Sequence, residues 1–65
     1  MGDMMLKIIK VVERHGGLKA RMRLATKTGV SSRKARQVPD DHETIKRMVK
    51  SAQEILNKNI EDLLR

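Results

Sequence analysis

The side chains of this 65-residue chain that are best suited to chemistry are basic and lie in one segment. Residues 17–38 contain seven Lys and Arg side chains and no Asp or Glu. A solvated helix face normally mixes both signs of charge, so an acid-free run of this length predicts a polyanionic partner. Ammonium and guanidinium groups bind phosphate oxygens, and Arg and Gln also pair with the edges of bases.

Within that segment, the stretch LATKTGVSSRKARQV (residues 24–38) predicts two helices joined by a tight turn. Leu24 and Ala25 provide an apolar face near the end of the earlier helix. Gly29 supplies the left-handed backbone that ends this helix without a steric penalty. Ser31 is a good N-cap for the short helix that follows. The pattern places a short polar helix immediately after a turn, as in proteins that insert a helix into the DNA major groove.

This short helix, over about 32–37, is expected to have one apolar and one polar face. Ala35 and Val38 lie four and seven residues after Ser31 and so face the core. Pro39 forces its predecessor out of helical geometry and ends the helix. The polar face carries the side chains expected to read bases, which are Ser32, Arg33, Arg36 and Gln37. The side chains expected to hold the phosphate backbone are Lys19, Arg21, Arg23, Lys27, Ser31 and Lys34.

The same stretch resembles the helix-turn-helix of the lambda-repressor-like (Xre-type) family. VPDDHETIKRMVKSAQEIL is similar to the helix after the recognition helix in that family, and NKNIEDLLR to its short closing helix. The resemblance covers about residues 22–65, although the link at 38–41 is several residues shorter than is usual. It implies a transcriptional regulator that binds double-stranded DNA, often as a homodimer on a two-fold site. Dimerisation through the first or last helix is the expected route to affinity.

The rest of the chain predicts helices and no strand. A first helix capped by Asp3 has an apolar face at the spacing of one helical stripe, formed by Met5, Ile8, Ile9 and Val12. Gly16 and Gly17 end it. A second helix from about Leu18 to Thr28 is expected to bury four side chains, which are Leu18, Met22, Leu24 and Ala25.

The fourth predicted helix has the most regular apolar face in the chain. Asp40 or Asp41 caps it, and Glu43 completes a capping box with Asp40. Its core positions are Ile45, Met48, Val49, Ala52, Ile55 and Leu56. Asn57 or Asn59 ends it, and a closing turn or two follows with Ile60, Leu63 and Leu64, unless this segment continues the fourth helix. The sequence therefore predicts a single all-α domain over residues 1–65, a compact bundle of four to five short helices.

Composition excludes several other classes of protein. With no Cys, a disulfide scaffold and a thiolate metal site are excluded, and a cytoplasmic setting is expected. No apolar run approaches the roughly 18 residues of a membrane span. The absence of Phe, Tyr and Trp makes the core aliphatic. It also removes the stacking platforms that single-stranded RNA recognition generally uses.

Enzymatic chemistry has little support. The Asp-Asp-His-Glu run at 40–43 could in principle ligate a metal ion. Adjacent residues at a helix start point in different directions, however, which favours a capping role. Ser31 and Ser32 have basic neighbours but no base and orienter for a nucleophile. We therefore expect no catalytic residue, no cofactor and no small-molecule substrate.

The main alternative is a protein-interaction or adaptor module that uses the same bundle. It would require exposed apolar surface beyond what a monomer buries, at Met4, Val11, Leu63 or Leu64. A basic amphipathic helix lying on a membrane is disfavoured, because the first helix offers few cations, namely Lys7, Lys10 and Arg14.

Overall fold

The computed structural model describes residues 3–37 and 39–64, which form three α-helices and a closing 3₁₀ turn. The elements are α1 (Asp3–Thr28), α2 (Ser32–Gln37), α3 (His42–Leu56) and the 3₁₀ turn (Asp62–Leu64). The described residues include no β-strand, so the predicted all-α class is confirmed. The Cα radius of gyration is 10.2 Å, close to the value of about 11 Å expected for a folded domain of this length.

Helix α1 is interrupted at Gly17, within the glycine pair where the sequence predicts a break. Gly17 has φ 80° and ψ −176°, a region of backbone space open essentially to Gly alone. The chain turns back here, which brings Arg21, after the kink, into a salt bridge with Glu13, before it. We call residues 3–16 the first arm and residues 18–28 the second arm. The predicted break is thus present as a kink. With the two arms counted as one helix, the described residues form three α-helices rather than the predicted four to five.

Gly16 lets the kink pack closely against α3. A Cβ added at Gly16 would lie 2.5 Å from the Cβ of Ala20 and 2.7 Å from Cδ2 of Leu56. Both distances are shorter than real Cβ contacts, so a larger residue would push the two arms away from the C-terminal end of α3. The two glycines thus serve different purposes, one conformational and one steric.

The core is aliphatic and draws on every helix. The first-arm face predicted from the sequence is confirmed, since Met5, Ile8, Ile9 and Val12 are all buried. In α3, Met48 and Ala52 are fully buried. The other predicted core positions of α3 are half-buried and pack against the cluster, and these are Ile45, Val49, Ile55 and Leu56. The remaining buried apolar residues are Ala20, Leu24, Val30, Ala35 and Ile60.

The predicted core face of the second arm is wrong in part. Leu18 and Met22 are 56% and 60% exposed rather than buried. The buried stripe runs instead through Ala20, Leu24 and Thr28, at intervals of four residues. At Ala20 a small side chain is needed, because its Cβ lies next to Gly16. The hydroxyl of Thr28 is satisfied there by donating to the Leu24 carbonyl oxygen at 2.7 Å. The fourth residue of the predicted face, Ala25, is half-buried.

Asp40 and Asp41 cap two different helices. Asp41 is the N-cap of α3, and its carboxylate accepts from the Thr44 backbone N–H at 3.1 Å. The capping box between Asp40 and Glu43 is therefore wrong, because the cap lies one residue later. The Asp40 carboxylate instead accepts from the backbone N–H groups of Met4 and Met5, at 3.3 and 3.5 Å.

The predicted cap of the first helix changes accordingly. Asp3 is itself a helical residue in the first turn of α1, and Asp40, 36 residues from Met4, accepts the backbone bonds there. A carboxylate is favourable at this end of a helix because unpaired N–H groups and the helix dipole both attract it. Asp40 thereby ties the link between α2 and α3 to the start of α1.

Helix α3 ends at Asn57, one of the two residues predicted to end it. Asn57 has left-handed backbone (φ 55°, ψ 40°), and its N–H donates to the Gln53 carbonyl oxygen. The alternative of a continuous last helix is therefore wrong. The Asn59 side-chain oxygen accepts from Glu61 N at 2.8 Å, which shapes the turn that brings Ile60 into the core, fully buried.

We predict that Gly17→Ala lowers the free energy of unfolding by about 1–3 kcal/mol, because a Cβ strains backbone at positive φ. Lys19→Ala, at an exposed helical position two residues later, should change it by less than about 0.5 kcal/mol. Urea denaturation followed by circular dichroism measures both. Equal midpoints for Gly17→Ala and the wild type would show that the kink does not hold this conformation in solution.

We also predict that Ala35→Leu costs about 1–3 kcal/mol, because Ala35 is fully buried between α2 and its neighbours and extra methylene groups would overpack the site. Arg36→Leu, on the next and exposed position of α2, is the matched control and should leave the melting temperature nearly unchanged. An Ala35→Leu protein that melts like the wild type would contradict the packing of α2 described above.

Candidate nucleic-acid interface

The link between α1 and α2, residues 29–31, is held by a short chain of hydrogen bonds. Gly29 has φ 73°, and its N–H donates to the Ala25 carbonyl oxygen at 2.8 Å. Thr28 Oγ1 accepts from the Val30 N–H at 3.2 Å, and Val30 is buried. These bonds confirm the predicted glycine stop, and they fix the direction in which α2 leaves α1.

Helix α2 begins at the predicted cap. Ser31 Oγ accepts from the backbone N–H of Lys34 at 3.3 Å, and the Ser31 carbonyl oxygen accepts from the N–H of Ala35 at 2.9 Å. Ala35 is fully buried, which fixes the rotation of the helix about its own axis. Val38, the other residue expected to face the core from this helix, lies outside the described residues.

The outward face of α2 is polar. Arg33, Arg36 and Gln37 are exposed, and Ser32 is half-buried. These are the four residues that the sequence predicts to read bases. The structure therefore brings them onto one six-residue helix that is anchored by a single buried alanine.

A groove of about 340 Å³ lies between α2 and the second arm, and we call it the α2 groove. Its lining residues are Ile9, Arg21, Met22, Ala25, Val30, Ser31, Ser32 and Arg33. Arg21 and Arg33 thus come from two helices to the same groove, beside the hydroxyl-bearing Ser31 and Ser32. Arg21 Nη1 donates to Glu13 Oε2 at 2.9 Å, which positions the guanidinium while leaving it further N–H donors.

Three of the predicted phosphate-binding residues lie elsewhere on the second arm. Lys19, Arg23 and Lys27 follow one another at intervals of four residues. They border α3, where a second groove of about 500 Å³, which we call the α3 groove, is lined by Met22, Arg23, Thr26, Lys27, Glu54 and Ile55. A smaller adjoining cavity of about 230 Å³ is lined by Gly16, Lys19, Ala20, Arg23 and Ile55. The acid-free segment of the sequence therefore supplies two surfaces rather than one.

The charge at the α3 groove is partly compensated. Lys27 Nζ and Glu54 Oε2 are 2.8 Å apart, with both side chains about half exposed. The pKa of Glu54 is lowered from its ordinary value of 4.5, first by the hydrogen bond from Lys27, then by the charge of Lys27, with a smaller contribution from Lys50. The carboxylate is therefore fully ionised at neutral pH.

Lys34 lies near a basic residue of α3, Arg47, that the sequence pattern does not indicate as part of the site. It lines a groove of about 360 Å³ together with Arg47 of α3, near Pro39 and Thr44. Arg47 was overlooked because it lies in a segment of mixed charge, outside the acid-free run. Only a short link separates α2 from α3, and this brings Arg47 close to α2. The length of that link is the one feature of the sequence that could have indicated Arg47.

Within residues 3–37 and 39–64, no three His, Asp or Glu side chains are grouped so that they could hold a metal ion. In the same residues, no helix has an apolar stretch of bilayer-spanning length. A scan against protein-family models finds no match. Neither curated proteins nor solved structures give a significant match to this chain.

Proposed function

We propose that this protein binds double-stranded DNA by placing α2 in the major groove. The observation that carries the proposal is the α2 groove, where Arg21 and Arg33 meet beside two serines at the start of a helix with a polar outer face. Guanidinium groups from two elements can contact the phosphate backbone and the base edges at the same place, as a helix-turn-helix does.

The dimensions and chemistry of α2 suit this role. The major groove is about 12 Å wide and admits an α-helix. Six helical residues extend over about 9 Å, so side chains one turn apart reach successive base pairs. Arg33 and Arg36 can each form two hydrogen bonds with guanine, and Gln37 can do so with adenine. Ser32, which is half-buried, contributes at the edge of this surface.

Direct phosphate contacts are assigned to the residues nearest α2. Arg21 is oriented by Glu13, Ser31 lies at the helix start, and Lys34 shares its groove with Arg47. Lys19, Arg23 and Lys27 border α3, so their part in DNA binding is long-range attraction, which depends on net charge rather than on contact.

The resemblance to the lambda-repressor-like family extends this proposal to transcriptional regulation in the cytoplasm. A domain of this size offers few contacts, so a homodimer on a two-fold site would give the affinity that one copy lacks. The protein-interaction alternative keeps partial support. Of the residues named for it, Met4 is 38% exposed, whereas Val11, Leu63 and Leu64 pack against the core.

We predict that affinity for duplex DNA falls steeply with salt. If three to six phosphates are neutralised, the slope of log K against log salt is roughly −3 to −5. A fluorescence anisotropy titration with a labelled duplex at several salt concentrations measures it. Affinity that does not change with salt, or no binding at low salt, would contradict the proposal and favour the protein-interaction alternative.

Replacing each of three arginines in turn distinguishes base readout, phosphate contact and the effect of net charge alone. Arg33→Ala should cost about 1–3 kcal/mol on the preferred site and relax its sequence preference. Arg21→Ala should weaken all duplexes about equally and make the salt slope shallower by about one unit. Arg23→Ala is the matched control, because it removes the same charge from the α3 side of the second arm, and its effect should be smaller than that of Arg21→Ala.

Selection of binding sites from a random duplex pool, repeated with each variant, measures sequence preference directly. Equal loss of preference in Arg33→Ala and Arg23→Ala, or no loss in either, would mean that α2 does not read the sequence.

A further inference from the structure

Two large apolar side chains lie exposed on the second arm, outside the hydrophobic core. Leu18 and Met22 are more than half exposed, and they are four residues apart, so they lie on the same side of the helix. Met22 also lines the α3 groove, together with Ile55 and Thr26. The result is an apolar strip that runs from the start of the second arm into a concave groove.

This strip is bordered by positive charge. Lys19 and Arg23 are exposed and, among the described residues, have no salt-bridge partner. Lys27 lies further along the same side, and the single carboxylate that lines the groove is Glu54, which is paired with it. The edge of the groove therefore has two uncompensated cations beside an uncovered apolar surface.

We propose that Leu18, Met22 and the α3 groove form a docking surface for an acidic amphipathic helix of a partner protein. Apolar side chains spaced three and four residues apart on that helix would cover Leu18 and Met22 and enter the groove beside Ile55. Carboxylates at its flanks would pair with Lys19 and Arg23. Met22 lines the α2 groove as well, so the two surfaces adjoin. The docking surface includes none of the side chains assigned to base readout, so it does not rest on the proposed DNA binding.

The charges and shape select this occupant over two others. A second copy of the chain docked through the same surface would bring its own acid-free segment against this one, and like charges in contact are unfavourable. An anionic bilayer offers the right charge, but a flat surface cannot fill a groove of about 500 Å³ between two helices. A helix is convex, and its ridges of side chains can fill such a groove.

The test is a selection from a displayed library of randomised 16-residue helical peptides on the immobilised full chain. Met22→Glu serves as the counter-selection target, because it places a carboxylate in the apolar strip. The expected result is enrichment of peptides with an i, i+3, i+4, i+7 apolar pattern and an excess of Asp and Glu. Failure to enrich any peptide on the wild type over Met22→Glu overturns the proposal, as does enrichment of neutral or basic peptides.

The enriched consensus peptide is then synthesised and titrated by fluorescence anisotropy. Met22→Gln should weaken it about tenfold or more, as expected for a central apolar contact. Arg23→Gln should weaken it about two- to fivefold, as expected for an exposed ion pair. Met4→Gln, exposed on the first arm, and Arg33→Ala, on α2, are controls that should leave peptide binding unchanged. All these positions are exposed, and circular dichroism checks that each variant is folded.

Two further measurements test the two other occupants, a second copy of the chain and an anionic membrane. If sedimentation velocity shows that the wild type is a dimer and that Met22→Gln is a monomer, the occupant of the surface is a second copy of the chain and not a partner helix. If the wild type binds vesicles of anionic phospholipid, Met22→Gln does not, and no peptide is enriched, the occupant is a membrane surface. A monomer that binds the acidic peptide and not vesicles supports the proposal. A loss of peptide binding in Arg33→Ala would instead show that the peptide occupies the DNA-binding face.

Discussion

The kink at Gly17, together with the close packing at Gly16, is the constraint on which the rest of the structure depends. Gly17 turns the chain back on itself, and the absence of a Cβ at Gly16 lets the turn lie against Leu56 at the end of α3. The two arms of α1 can then pack on one another and on α3. The salt bridge between Glu13 and Arg21 spans this turn, so the same kink that builds the core also positions one guanidinium of the candidate interface.

The opposite end of the bundle is held by polar contacts in addition to the buried side chain of Met5. Asp40 accepts backbone hydrogen bonds at the start of α1, while Asp41 caps α3. Helix α2 lies between these anchors and the turn at Gly29, and Ala35 fixes its rotation. A six-residue helix is too short to be stable alone, so its outward face is defined by what surrounds it.

Much of this fold could be predicted from the sequence because the signals were local. The apolar stripe of the first arm, the cap at Ser31 and the stop at Asn57 each follow from a few neighbouring residues. The register of the second arm could not be predicted in this way. Leu18 and Met22 are more apolar than Ala20 and Thr28, so hydrophobicity alone selects the wrong face.

The candidate site, like the fold, could be predicted where it depends on neighbouring residues and not where it depends on tertiary packing. The outward residues of α2 follow from Ala35, but the division of the basic residues between two surfaces depends on how the second arm packs. Placing Lys19, Arg23 and Lys27 beside α3 requires the tertiary contact between Gly16 and Leu56. Asp40 likewise reaches a helix start that is remote in sequence, which no local pattern indicates.

The central claim is that α2 and its groove meet DNA, and amide chemical shifts measure this most directly. A ¹⁵N-labelled sample titrated with a short duplex should show its largest shift changes at residues 31–37 and at Arg21. The amides of Lys27, Glu54 and Ile55 should change little, because they lie on the α3 side. Changes centred on that side, with α2 unaffected, would contradict the account.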